Sequence, residues 1–309
     1  MRILFTGASS FTGYWFIQAL AAQGHQVVAA ILRRPEQYQG VRRARVEALE
    51  PLCTRRFGLR FGEEAFLRAI KSDGPFDLLC HHAAQVGDYR SPEFDVTGAL
   101  AANTHNLPAV LRALAEQGCA KLIITGSVFE PGEGAGNRPL AAFSPYGLSK
   151  GLTASVCQFY ADATGFSLGK FVIPNPFGPY EEPRFTAYLV RTWKAGQTPS
   201  VNTPRYVRDN IHVSLLAAAY ADFAAGLPSA PGLVRRNPSG YVETQGAFAR
   251  RFAEAMAPRL GLECPVALAQ QTDFSEPLVR INTEPVDGPA LGWDEDAAWD
   301  ELAAYYRRA

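Results

Sequence analysis

The first thirteen residues constrain the fold more than any other part of the chain. Residues 2–6 form a short apolar run that ends at Gly7, the pattern of a strand covered on both faces of a parallel sheet. The chain then passes through Thr6-Gly7-Ala8-Ser9-Ser10-Phe11-Thr12-Gly13 straight into a helical pattern, with Phe11, Trp15, Phe16 and Leu20 on one face and Gly24 closing it. A second strand is predicted over 27–32. Further strands at 76–80, 122–125 and 169–173 alternate with helices near 100–117 and 146–164. Repeated βαβ units joined right-handedly predict an α/β fold with a doubly wound parallel sheet of the Rossmann type over residues 1–170.

After Ile173 the character changes, with Pro174, Pro176, Pro179 and Pro183 close together and helices predicted at 186–194 and 244–260 among short strands. Residues 171–309 are read as a smaller C-terminal substrate-binding domain, partly interleaved with the sheet near 205–225. A chain of 309 residues buries roughly 75% of the surface its unfolded form exposes, enough for one large core or two joined cores.

The glycine turn has a chemical reading. Gly7 permits a tight turn, Gly13 permits close packing of helix on strand, and the free N–H groups of the first helical turn can cradle a pyrophosphate. Gly7, Ser10, Phe11, Thr12 and Gly13 are therefore candidate cofactor contacts. Ser10 stands where a middle glycine is usual, and its hydroxyl is expected to reach a phosphate. An ordinary βα turn is the competing explanation, but position after the first strand of an α/β chain favours a dinucleotide. Where the second strand ends, Arg33 and Arg34 replace the carboxylate that would grip a ribose 2′-hydroxyl. An arginine there can take a 2′-phosphate bidentately, so NADP is expected, with NAD possible.

Tyr146-Gly147-Leu148-Ser149-Lys150 places a phenol and an ammonium four residues apart on a predicted helix, hence on one face. A free phenol ionises near pH 10, and a neighbouring cation favours the phenolate. The pair is a candidate general acid/base. Such pairs are frequent on unrelated helices, and what strengthens this one is the preceding strand that ends in Thr125-Gly126-Ser127.

Together these segments resemble the extended short-chain dehydrogenase/reductase family, which includes sugar-nucleotide epimerases, dehydratases and ketoreductases. The resemblance takes in the glycine turn, His81-His82-Ala83-Ala84, the hydroxyl cluster, YGLSK, Pro174-Asn175-Pro176-Phe177-Gly178-Pro179, Arg208-Asp209-Asn210-Ile211-His212-Val213 and Leu291-Gly292-Trp293. It implies that Tyr146 exchanges the proton, that Lys150 binds the nicotinamide ribose and lowers the Tyr146 pKa, and that Ala83 and Ala84 line the cofactor. It further implies that Asn175 and Arg208 contact a nucleotide diphosphate. Ser127 is the expected substrate hydroxyl, with Thr125 as the alternative because residues two apart share a strand face.

The same resemblance implies reduction of a nucleotide-linked 4-keto-6-deoxy sugar by NADPH, with a sugar-nucleotide epimerase using NAD as the alternative. Dehydration is disfavoured, because the Asp-Glu pair of such dehydratases is absent after Ser127. A non-catalytic NADP-sensing regulator would be expected to lack the Tyr-Lys pair. Thirty basic and thirty acidic residues cancel, so neither nucleic acid nor an anionic membrane is an expected partner. Five scattered cysteines, never closer than 27 residues, suit neither disulfides nor zinc, and the histidines show no ligand spacing. No metal is expected. With no signal-peptide pattern and no run near 18 apolar residues, a cytoplasmic protein is expected. A homodimer through the helices near 100–117 and 146–164 is expected by resemblance.

Overall fold

A computed structural model describes residues 1–308. The N-terminal strands and helices alternate: β1 (Arg2–Thr6), α1 (Phe11–Ala22), β2 (Gln26–Ile31), α2 (Gly40–Ala48), β3 (Thr54–Phe57), α3 (Glu64–Asp73) and β4 (Leu78–His81). Then come α4 (Val96–Asn103), α5 (Leu107–Ala115), β5 (Lys121–Ser127), β6 (Ala135–Gly136), α6 (Pro145–Thr164) and β7 (Ser167–Ile173). The single helix expected over 100–117 is thus two. Asn106 adopts φ 50° between them, a left-handed conformation that ends one helix, and Pro108 suits the first turn of the next.

The second half contributes β8 (Asn175–Phe177), α7 (Phe185–Lys194), β9 (Ser200–Val201), β10 (Val207–His212), α8 (Val213–Gly226), β11 (Gly232–Arg236), β12 (Pro238–Ser239) and β13 (Tyr241–Thr244). It closes with α9 (Gln245–Leu260), β14 (Ala267–Leu268), β15 (Val279–Ile281), β16 (Glu284–Pro285) and α10 (Glu295–Arg308).

The main sheet has seven parallel strands in the order β11-β7-β5-β4-β1-β2-β3. Strand β11 comes from the second half of the chain, beyond the 205–225 stretch in which interleaving was expected. Helix α8 brings it there: it packs beside α1 on one face of the sheet, where Phe16 and Tyr220 stack with ring centres 4.0 Å apart. The other face is covered by α3, α5 and α6, with Leu79, Leu111, Cys157 and Phe166 in its core. A third core, around Phe177, Phe248, Phe252 and Trp299, holds the C-terminal part together.

A smaller sheet in the order β13-β10-β15-β6, with β8 beside β10, joins the two halves. Through it β15 reaches the loop that follows β5. Strand order reverses between β1 and β4, and in open α/β sheets ligands bind outside the carboxyl ends of the strands at this point. The turn after β1, the His81–Ala84 segment and the end of β5 all converge there. All five cysteines are free thiols, and no described helix is long and apolar enough to cross a membrane.

Candidate active site

The turn after β1 is built around two glycines whose replacement has no room. Gly7 has φ +81°, and a Cβ on it would lie 2.7 Å from the amide nitrogen of Ala83, while a Cβ on Gly13 would lie 2.3 Å from the Gly7 carbonyl oxygen. The turn therefore rests directly on the end of β4. Ser10 caps α1, donating its hydroxyl to the Gly7 carbonyl at 2.8 Å and accepting from the Gly13 N–H at 3.0 Å. Its proton and one lone pair are thus engaged inside the turn. Phe11 and Thr12 keep first-turn N–H groups without helical acceptors, and these fit the anion-binding role.

Two adjacent histidines leave β4 on opposite sides. His81 donates from Nε2 to the Asn103 carbonyl at 2.8 Å, so its Nδ1 accepts from the Thr6 hydroxyl at 3.0 Å, and it stacks on Phe61. His82 turns to the opposite face, against Phe5 and Phe16. Its Nε2 lies 3.0 Å from Ser10 Oγ and 3.1 Å from Thr12 Oγ1, and its Nδ1 lies 2.8 Å from Thr125 Oγ1. The His82 ring thus ties the turn after β1 to the end of β5 through three hydroxyls. Burial keeps both imidazoles neutral, pushing His81 down to about 4 and His82 to about 3.

Helix α6 begins at Ser144, whose hydroxyl accepts from the Gly147 N–H at 3.3 Å, with Pro145 in the first turn. This places Tyr146 and Lys150 beneath the end of β5. The Lys150 ammonium is buried and donates to the carbonyl of Thr125 at 2.5 Å. The Tyr146 ring packs edge-on against Tyr89 and Phe94. Burial, then the Glu130 carboxylate, push the phenol well above its usual range; Arg184 pulls it down and Tyr89 raises it. Arg184 is thus one cation that favours the phenolate, beside the Lys150 that the four-residue spacing puts forward. Arg184 lies 38 residues from Tyr146, and nothing in the local pattern marks it.

Ser127 ends β5. Its hydroxyl accepts from the Phe129 N–H at 3.2 Å, which leaves its own proton available. The nearby Glu130 carboxylate is fully buried and spent: it accepts from the Ser127 N–H at 2.8 Å and pairs with Lys170 at 2.5 Å, and Lys170 also pairs with Glu133 at 2.7 Å. Arg280 from β15 secures the same loop through the carbonyls of Val128 (2.8 Å), Ala141 (3.3 Å) and Glu130.

Residues 3–226 match the model of the NAD dependent epimerase/dehydratase family. The chain belongs to this family. No curated protein matches it in sequence. Among solved structures it is similar to a UDP-glucuronic acid 4-epimerase from Bacillus cereus in complex with UDP-glucuronic acid and NAD, at TM-score 0.75 and 15% identity over 100% of this chain and 99% of the other. It is also similar to a UDP-glucose 4-epimerase from Thermus thermophilus in complex with NAD, at TM-score 0.70 and 21% identity over 100% of both chains. A dTDP-glucose 4,6-dehydratase from Streptomyces venezuelae, with NAD bound, aligns at TM-score 0.72 and 19% identity over 100% of this chain and 97% of the other.

As a family member the chain is an enzyme, and the remaining candidates fall unevenly around the switch point. Ala83 donates its N–H to the Thr6 hydroxyl at 3.0 Å and, with Ala84, lines the edge of the turn. Arg33 and Arg34 are exposed beyond β2. Asn175 donates from its side chain to the Asp209 carbonyl at 3.3 Å and so ties β8 to β10. Arg208 is not paired with its neighbour Asp209. Its guanidinium is buried and reaches Glu276 at 2.7 Å. Tyr89, Phe94, Arg184 and Arg280 were not visible as site residues in the sequence.

Proposed function

We propose that the protein is a sugar-nucleotide epimerase of its family, acting at one carbon of a UDP- or dTDP-linked sugar. The observation that carries this reading is the state of the carboxylate beside Tyr146: Glu130 is spent on Lys170 and the backbone N–H of Ser127. Expulsion of water from a sugar needs a free acid beside the proton-exchanging phenol. Oxidation and re-reduction at a single carbon need only the phenol and a hydroxyl donor.

When bound, the nicotinamide dinucleotide supplies hydride exchange with the sugar carbon. The turn fits it, since two glycines allow close approach and the first-turn N–H groups of Phe11 and Thr12 carry the positive end of α1. Ser127 donates a hydrogen bond to the reacting sugar oxygen, and Tyr146 takes or returns its proton. Lys150 holds the nicotinamide ribose through its ammonium, and Asn175 and Arg208 face the nucleotide diphosphate.

NADPH-dependent ketoreduction is a second reading, favoured by one observation: Arg33 and Arg34 stand exposed where a carboxylate would select NAD. The two readings separate in one assay. Incubated with UDP-glucose, UDP-glucuronic acid or dTDP-glucose and NAD, an epimerase inverts the sugar, seen by NMR, with no net change in nicotinamide absorbance. Stoichiometric NADPH oxidation with a 4-keto sugar nucleotide, and no inversion, overturns the epimerase reading. A homodimer completes the proposal, since Leu148, Leu152 and Phe159 form an exposed apolar stripe at helical spacing on α6. Light scattering at a monomer's mass would refute it.

A further inference from the structure

The two terminal nitrogens of Arg208 are held in different ways. Nη1 donates to the carbonyls of Val207, Pro277 and Leu278 at 2.9, 3.1 and 3.4 Å. These acceptors are fixed by the pairing of β10 with β15. Nη2 donates to Glu276 Oε2 at 2.7 Å. The Glu276 side chain is 48% exposed and that of Arg208 only 6%. Rings of Tyr206 and Phe143 lie 4.5 and 5.5 Å from the guanidinium carbon and hold its plane.

The strap that carries Glu276 is anchored through its backbone. The Tyr206 hydroxyl donates to the Asp273 carbonyl and accepts from the Glu276 N–H, both at 3.2 Å. Gln271 Nε2 also donates to the Asp273 carbonyl, at 2.8 Å. None of these bonds restrains the Glu276 carboxylate, which can rotate into water without moving the strap.

We propose that Glu276 sets the substrate affinity of the site by occupying the Arg208 Nη2 donor that a phosphate oxygen of the nucleotide takes. This rests on the reading of Arg208 as a diphosphate contact. The diphosphate and the Glu276 carboxylate are like charges drawn to one guanidinium, so binding drives the carboxylate away. A half-exposed carboxylate regains its hydration when it does, and the more highly charged diphosphate takes the stronger contact. On release the carboxylate returns and helps to expel the product nucleotide. Glu276 thus weakens binding of anionic ligands and leaves neutral ones untouched.

The test is calorimetric titration of wild type, Glu276→Gln, Arg208→Met and the double variant with UDP, dTDP and uridine. Glu276→Gln is expected to tighten diphosphate binding roughly five- to tenfold, somewhat less than one full charge-assisted contact is worth, and to leave uridine binding unchanged. Arg208→Met should weaken diphosphate binding, and the double variant should match it. If Glu276→Gln leaves diphosphate affinity unchanged or lower, or tightens uridine equally, while Arg208→Met weakens binding, the Glu276 proposal falls and the Arg208 reading stands. If Arg208→Met, or Arg208→Lys should the first fail to fold, binds diphosphate as wild type does, or if wild type binds neither diphosphate, both fall.

Discussion

The Thr125 hydroxyl is hydrogen-bonded to the buried imidazole of His82 at Nδ1 across 2.8 Å. Ser127, two residues on, keeps its proton. Thr125→Val should therefore act on stability, costing about 1–3 kcal/mol for the buried ring nitrogen left without a partner, with kcat within a fewfold of wild type. Ser127→Ala should lower kcat by roughly 10²-fold, as removal of a preorganised donor does, and lower the urea midpoint only slightly, for the Phe129 N–H bond lost. Retained turnover in Ser127→Ala together with lost turnover in Thr125→Val would reverse the assignment.

Tyr146→Phe keeps the ring between Tyr89 and Phe94 and removes the proton. Its kcat should fall by roughly 10²–10⁴, with unchanged dinucleotide affinity by fluorescence titration. Arg184→Met should leave the protein folded and move the basic limb of the kcat profile to higher pH. The direction follows from charge: a cation favours the phenolate, so its removal raises the phenol pKa. Arg184 is exposed, so the displacement should shrink as salt is added. A limb that stays in place would remove Arg184 from the site.

Cofactor choice is tested at Arg33. If it takes a 2′-phosphate, Arg33→Ala should weaken NADP binding by on the order of 1.5–3 kcal/mol and leave NAD binding almost unaltered, as read by calorimetry. Wild-type protein that binds NAD more tightly than NADP would assign the exposed arginine pair to solvent.

Glu181 offers a test of stability against pH. It is buried, accepts from the Gly178 N–H and the Thr186 hydroxyl, and burial pushes its pKa up to about 7. The native state thus holds a proton that the unfolded state releases above pH 4.5. This contribution is complete below pH 4.5 and is lost as pH rises through 7, roughly 3 kcal/mol in all at 1.36 kcal/mol per unit. Glu181→Gln should flatten that part of the curve, and its melting temperature should overtake that of wild type at pH 8. Parallel curves for the two proteins would show that Glu181 is not protonated in the fold.

Local pattern determined what a few residues decide among themselves. The apolar run into Gly7 specified β1, the turn and α1, and the spacing of Tyr146 and Lys150 put both on one helix, because helix periodicity and glycine conformation act within a turn or two of chain. Strand β3 escaped notice because its sequence, Thr-Arg-Arg-Phe, is that of an edge strand, half exposed and without an apolar run. Strand β11, Gly-Leu-Val-Arg-Arg, is likewise an edge. Only the fold decided that Ser10 would turn inward to His82, that Arg184 would approach Tyr146, and that Glu276 would answer Arg208. Each pair is 38 to 72 residues apart, and its meeting depends on which strands lie side by side in the two sheets, a choice set by packing of the whole core.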